Sequence, residues 1–205
     1  IQQAAGHRVY DFIDLKDGFW HVRIAEGDRE KTAFLTPNGL YEWCYMPFGL
    51  TNAPATFQAL MEEILEPFRQ FTSGLLDDIA VWADTEAQLH ERLLFVFARL
   101  KEYGMLLNTR KTSLFVRSGV FLGFVINEDG ITADPAKVAA VRDRPMPTST
   151  TEVRGFVNAA GYFRHLIENY SEKSGLLTDL CTGPKGAPVT LSAEAQQQWR
   201  HIRDI

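Results

Sequence analysis

Cysteine is scarce in this chain: Cys44 and Cys181 are its two, too far apart to form a metal-ligand or disulfide pattern. That excludes a zinc-ribbon module and a disulfide-stapled secreted scaffold, and makes a reducing compartment the default. No apolar run approaches the roughly 18–20 residues of a membrane-spanning helix, so no membrane partner is expected. The opening segment "IQQAAGHRVYDFIDL" is polar and then strand-like rather than leader-like, and the missing initiator Met predicts an excised fragment. An excess of basic charge is lacking too: the formal net charge is -5. The average hides an asymmetry. Residues 1–100 carry 8 Lys/Arg against 15 Asp/Glu, and residues 101–205 carry 13 against 11. A basic C-terminal half could track phosphates while an acidic N-terminal half holds cations. Solvated surface charge alone would give the same asymmetry.

What is present supports a core. Hydrophobic residues make up 45% of the chain and aromatics 12%, which excludes global disorder. "VYDFIDL" (9–15) alternates and predicts a strand ending at Asp14. "HVRIA", "KTAFLT" and "LYEWCYM" predict further strands separated by turn residues. "TNAPATFQALMEEILEPF" predicts a helix with Thr51 or Asn52 as N-cap, Pro54 in its first turn, and Phe57, Leu60, Met61, Ile64 and Leu65 as its apolar stripe. Two short strands around Asp77-Asp78 follow. Thr85 and Gln88, at capping-box spacing, open a second helix that Gly104 ends. "GVFLGFVI" and "ITA" predict a small hairpin around "NEDG". From Asp134 the character changes to helices: "DPAKVAAVRD", "STTEVRGFVNAAGYFRHLI", "SEKSGLLTDLC" and "SAEAQQQWRHIRDI", the last two separated by the loop "TGPKGAPVTL". The class predicted is α+β to about residue 132, followed by a helical region.

In "SGLLDDIAVWAD" (73–84), two adjacent carboxylates interrupt an apolar run, although burying an unpaired carboxylate costs several kcal/mol. If the strand ending at Asp14 neighbours this hairpin, Asp14, Asp77 and Asp78 converge at one end of a sheet. Like charges so close raise one another's pKa unless a cation neutralises them. Hard carboxylate oxygens suit Mg²⁺, and a pair of such ions about 3.5–4 Å apart clamps both oxygens of a phosphoryl transfer. An "Asp-Asp" at a turn is also common without any function.

The neighbouring motifs narrow the choice. "FIDLKDGFWHVRI", "YMPFGLTNAPATFQ", "LLDDIAVWA", "NTRKTSLF" and "VFLGFVI" resemble, in order, the five palm motifs of the reverse transcriptase of gypsy-type long-terminal-repeat retrotransposons. "STTEVRGFVNAAGYFRHLIENYSEKSGLLTDL" is similar to the family's thumb and the start of its connection region. The resemblance implies a polymerase palm, with a ferredoxin-like antiparallel sheet packed on helices, over 1–132. It implies a helical thumb over 133–182 and the start of a connection or RNase H-like region over 183–205. The activity implied is RNA-directed DNA polymerisation, with two Mg²⁺ ions, or Mn²⁺ in their place, and dNTPs added to a primer on an RNA or DNA template.

Residue by residue, the resemblance implies that Asp14 and Asp77 are the main metal ligands and that Asp78 assists. Phe19 falls at the steric gate against a ribose hydroxyl, although "GFW" offers two aromatics and core packing is the alternative. Asp17 would approach the triphosphate through its backbone amide. Phe48 and Gly49 would lie beneath the incoming nucleotide, and Phe48 equally suits core packing. Lys111 would protonate the leaving pyrophosphate, or be an ordinary surface lysine. Phe121, Leu122 and Gly123 would grip the primer strand, although a hydrophobic strand looks the same. Leu75 departs from the family's usual Tyr before the catalytic pair, and Trp20-His21 and Thr112-Ser113 also stray from its pattern. The family's fingers precede the first motif, and neither they nor an RNase H carboxylate set is visible. The isolated chain is therefore expected to be weak or inactive, with fingers, RNase H and integrase as polyprotein partners. A cytoplasmic particle and the nucleus are where a retroelement enzyme acts, with no targeting segment here. The competing readings are a decayed or domesticated scaffold that binds nucleic acid or protein, favoured by Leu75, and another two-metal palm enzyme such as a nucleotidyl cyclase.

Overall fold

The strand predicted by "VYDFID" forms as β1 (Val9–Asp14) and lies inside a four-stranded sheet rather than at its edge. The computed structural model describes residues 1–204. Ile205, where the last predicted helix and the predicted connection-like region end, lies outside the described residues. The chain divides into two units, 1–131 and 132–205. In the first, β1 is followed by the short helix α1 (Glu26–Arg29) and the hairpin β2 (Phe34–Thr36) and β3 (Gly39–Tyr41). Then come α2 (Ala53–Leu65), β4 (Thr72–Leu75), β5 (Asp78–Ala83), α3 (Glu86–Glu102), β6 (Ser113–Val116), β7 (Gly119–Phe121), β8 (Phe124–Asn127) and β9 (Gly130–Ala133), which runs across the unit boundary.

The main sheet has the order β4-β5-β1-β6, with antiparallel neighbours throughout. Alternation sorts its side chains between two cores. Val9, Ile13, Ile79 and Val81 pack with Phe57, Met61 and Ile64 of α2 and Leu89, Leu93 and Val96 of α3. Tyr10, Phe12, Ala80 and Trp82 meet Phe121, Ile126 and Ala4 on the opposite face. This α+β arrangement, an antiparallel sheet packed on helices, is the class the sequence predicts.

The second core is tight enough to be tested. An added Cβ on Gly119 would stand inside contact distance of the Phe12 ring, which is itself buried. Gly119→Ala is therefore expected to cost roughly 3 kcal/mol by overpacking. Denaturant unfolding checks this, and an unchanged midpoint would show that the ring moves aside freely.

Several predicted elements differ. "HVRIA" forms no strand; among the described residues its ladder contact is the isolated bridge Arg23↔Tyr45, which no neighbouring strand extends. "KTAFLT" begins as a turn of 3₁₀ helix, Glu30–Thr32, before β2. "LYEWCYM" leaves the hairpin after Tyr41, and Thr32 Oγ1 accepts from the Trp43 amide at 2.9 Å. "GVFLGFVI" is two strands, broken at Leu122 (φ 50°) and Gly123 (φ 74°), the two residues of a tight turn. Both left-handed centres match the twist of a hairpin.

The second unit contains α4 (Pro135–Arg142), α5 (Thr150–Gly161), α6 (Tyr170–Lys173), α7 (Gly175–Leu180) and α8 (Ala193–Arg203). Its caps are the predicted ones: Asp134 accepts from the Ala136 amide at 3.0 Å and Ser149 from the Glu152 amide at 3.3 Å. "SEKSGLLTDLC" is two short helices, divided at Ser174. Phe156 and Leu177 share one core with Leu191, Ala195 and Trp199, so residues on both sides of position 183 pack together. Among the described residues, no helix is long and apolar enough to cross a membrane.

Candidate active site

The sheet brings two of the three predicted carboxylates to one cleft. Asp14 closes β1, and Asp77 sits in the two-residue turn between β4 and β5. Both line an open cleft of about 720 Å³, together with Lys16, Asp17, Gly18, Phe19, Phe48, Phe57, Arg110 and Lys111 among others. Asp78 does not line it. As the first residue of β5 it pairs with Asp14 in the register and is half-buried, so the predicted third ligand stands in the sheet beside the cleft. Like charges directly opposite one another destabilise a sheet pair. Burial, then Asp77, then Asp14 push the Asp78 carboxyl above its usual range, and Lys111 opposes them.

The loop after α3 is stitched to the end of β1 on both sides of Asp14. The Asn108 amide donates to the Asp14 carbonyl at 2.8 Å, and the Lys16 amide to the Leu106 carbonyl at 2.8 Å. The Thr112 hydroxyl accepts from the Asp14 amide at 3.4 Å. This stitching delivers Lys111, whose Nζ lies 3.3 Å from Asp14 Oδ2. The Asp14 side chain is 13% exposed and that of Lys111 68%. The other oxygen, Asp14 Oδ1, is buried without a hydrogen-bond partner.

That orphaned acceptor suits a cation. A buried carboxylate oxygen without a donor costs free energy that a divalent ion in the cleft would recover. Among the described residues, no three His, Cys, Asp or Glu side chains cluster closely enough to hold a metal unaided. Two carboxylates with substrate oxygens and water completing the shell is how Mg²⁺ is commonly held, so the donor set fits an ion that arrives with a phosphate ligand.

The remaining predicted residues divide. Asp17 (φ 57°) and Phe19 line the cleft, and Phe19 packs against Phe48 and Phe57 with ring centroids 5.3 and 5.6 Å apart. Phe48 lines the cleft and is 69% exposed, which rules out the core-packing alternative for it. Gly49 lies outside the lining, and its φ of 97° is a conformation that side chains resist. Phe121, of the predicted primer grip, is 3% exposed and packed in the second core, and Leu122 and Gly123 form the turn that follows it. Sequence reasoning missed Arg110 and Asn108, which line the cleft, and Gln58, which bonds to the Asp77 turn. Arg110 stands beside Lys111 and Gln58 ends a quoted motif, so each was visible there, but not its direction.

Residues 1–126 match the family described as reverse transcriptase (RNA-dependent DNA polymerase). The chain belongs to that family, the class of protein that the sheet and its carboxylates define. Within it, the chain groups with the gypsy-type long-terminal-repeat retrotransposons. It is 34% identical over 97% of its length to the retrovirus-related Pol polyprotein from transposon opus, and 30% identical over 97% to that from transposon gypsy, both of Drosophila melanogaster. It spans about a fifth of each: 21% and 20%. Among solved structures, the foamy viral protease-reverse transcriptase in complex with ds DNA shares the fold at a TM-score of 0.86. That match has 24% identity and covers 98% of this chain and 35% of that one. The same foamy viral enzyme in complex with an RNA/DNA hybrid matches at 0.82, with 24% identity over 99% of this chain and 28% of that one. Reverse transcriptases as a family use a divalent metal, in keeping with the fit of Asp14 and Asp77.

Proposed function

We propose that this chain carries the polymerising centre of an RNA-directed DNA polymerase, the palm being its first unit and residues 133–182 the thumb. The observation that supports this most is Asp14 Oδ1, an acceptor buried without a donor beside a cleft that Asp77 also lines. Asp14 and Asp77 would hold two divalent ions, Mg²⁺ or Mn²⁺. When bound, these lower the pKa of the primer hydroxyl and stabilise charge on the leaving pyrophosphate. The side chains do the rest. Lys111, poised on Asp14, is placed to turn to the pyrophosphate and give it a proton. Asp17 offers its amide to the triphosphate, Phe19 its ring to the sugar and Phe48 its exposed face to the nucleotide, while Gly49 turns the backbone beneath. The Leu122–Gly123 turn contacts the primer strand. Primed RNA or DNA template and dNTPs are the partners, as are the fingers, RNase H and integrase regions of a polyprotein.

Primer extension on RNA with Mg²⁺, by the chain joined to its native flanking regions, tests this reading. Extension is expected. Firm binding of primer–template with no extension would favour the decayed-scaffold alternative, for which Leu75, 46% exposed, is a sequence argument.

Phe19 gives a sharper reading of the site. Phe19→Val should raise ribonucleotide use relative to deoxynucleotide use by roughly 10- to 100-fold, since pocket shape supplies discrimination of that order. The ratio of kcat/KM for the two nucleotides measures it; an unchanged ratio would leave Phe19 as packing for Phe48 and Phe57.

A further inference from the structure

The turn that carries Asp77 is strained at its first residue. Leu76 has φ 54°, a left-handed conformation in which a Cβ crowds the backbone and which glycine usually fills. Such a residue persists only where its surroundings over-determine it. Here Gln58 adds a side-chain clamp to the packing of Leu76 against the core and to the bond from the Leu15 amide to the Asp77 carbonyl at 2.8 Å. Gln58, on α2, accepts from the Leu76 amide through Oε1 at 2.8 Å. Its Nε2 donates to the Gly74 carbonyl at 3.4 Å and to Glu62 Oε1 at 3.1 Å. Accepting from the turn and donating to the preceding strand, its amide spans the corner. The next residue back is Phe57, whose ring lines the cleft and lies 3.2 Å from where a Cβ on Gly18 would stand. Successive residues of α2 thus support the cleft floor and the hairpin turn. Gln58 itself does not line the cleft.

We infer that Gln58 is a positioning residue for Asp77: it clamps the Leu76–Asp77 turn so that the Asp77 carboxylate is presented beside Asp14. The inference rests on reading the cleft as a divalent-metal site, and it adds that the second carboxylate depends on a helix amide outside that cleft. Because Gln58 lies outside the cleft lining, an effect of its loss on metal binding passes through the turn.

Mn²⁺ binding to the full chain, followed by water-proton relaxation, separates the two. Asp77→Asn should weaken binding at least tenfold. Gln58→Met should weaken it three- to tenfold with the melting temperature shifted by only a few degrees. Adding Leu76→Gly to Gln58→Met should restore binding to within twofold of the wild type, because glycine holds the left-handed turn unaided. The Leu76 amide, stripped of its acceptor, should exchange its hydrogen at least tenfold faster in Gln58→Met. Wild-type binding by Gln58→Met, with Asp77→Asn defective, would overturn the inference alone. Failure of glycine to rescue would overturn it as well, assigning Gln58 to packing. Equal Mn²⁺ binding by the wild type and Asp77→Asn would overturn the reading of the cleft itself.

Discussion

Asp14→Asn is expected to lower nucleotide incorporation by at least about a thousandfold, equivalent to roughly 4 kcal/mol of transition-state stabilisation, while leaving the melting temperature unchanged or raised. The two halves have different causes. On the proposed reading, activity falls because the amide removes half the charge that Asp14 and Asp77 would offer to bound divalent ions. Stability does not fall, because the carboxylate is a liability in the resting fold. Its Oδ1 is buried without a donor, and Asp78 faces it across the β1–β5 pair. The amide ends that repulsion. It also releases Lys111, which at 68% exposure is readily solvated and loses little with its partner. Asp78→Asn, altering a carboxylate outside the cleft lining, should cost much less incorporation than either Asp14→Asn or Asp77→Asn. Primer extension and thermal unfolding on the same preparations check this. Full incorporation by Asp14→Asn would remove it from the site.

The parts of the molecule legible in the sequence are those whose cause is local. Thr85, Asp134 and Ser149 cap their helices because a short oxygen-bearing side chain before an apolar stripe has one good use, and the three amides it predicts are bonded. Asp14 and Asp77 could be placed at one cleft because alternation and a tight turn fix where each strand ends. The losses are relations between distant segments. Whether "HVRIA" becomes a strand depends on a partner strand, and among the described residues it has the isolated bridge Arg23↔Tyr45 alone. That Phe121 is buried depends on Phe12 and Trp82, which the opposite sheet face brings into the same cluster. Adjacency in sequence does not show that Asp77 lies in the turn while Asp78 is already in the paired strand. Gln58 ends a quoted motif, but its role has no local signature, since its bond to Leu76 joins positions eighteen residues apart.

Asp11 supplies a second large effect, on stability rather than catalysis. It is fully buried in β1, opposite the irregular pairing with β6. Its Oδ1 accepts from the Phe115 amide at 2.7 Å, and its Oδ2 has no partner. Burial raises its carboxyl from 3.8 to about 6, with the Phe115 amide opposing the rise. Because the folded value exceeds the unfolded one, the native state binds more protons between them, and stability must fall as pH rises across that interval. The contribution is full below about pH 4, is lost progressively to about pH 6 and stays lost above. At 1.36 kcal/mol per pKa unit, the interval corresponds to ~3 kcal/mol. Asp11→Asn mimics the protonated carboxyl, with one oxygen for the Phe115 amide and one donor in place of Oδ2. It should therefore match the wild type at pH 4 and exceed it by up to ~3 kcal/mol at pH 8. Other carboxylates titrate over the same range, so the difference between the two pH–stability curves is the measurement, taken by denaturant unfolding from pH 3.5 to 8. The curves should diverge between pH 4 and 6 and run parallel beyond. If they stay parallel across the whole range, Asp11 is ionised in the folded chain at no cost, and the unpaired Oδ2 has a partner in solution.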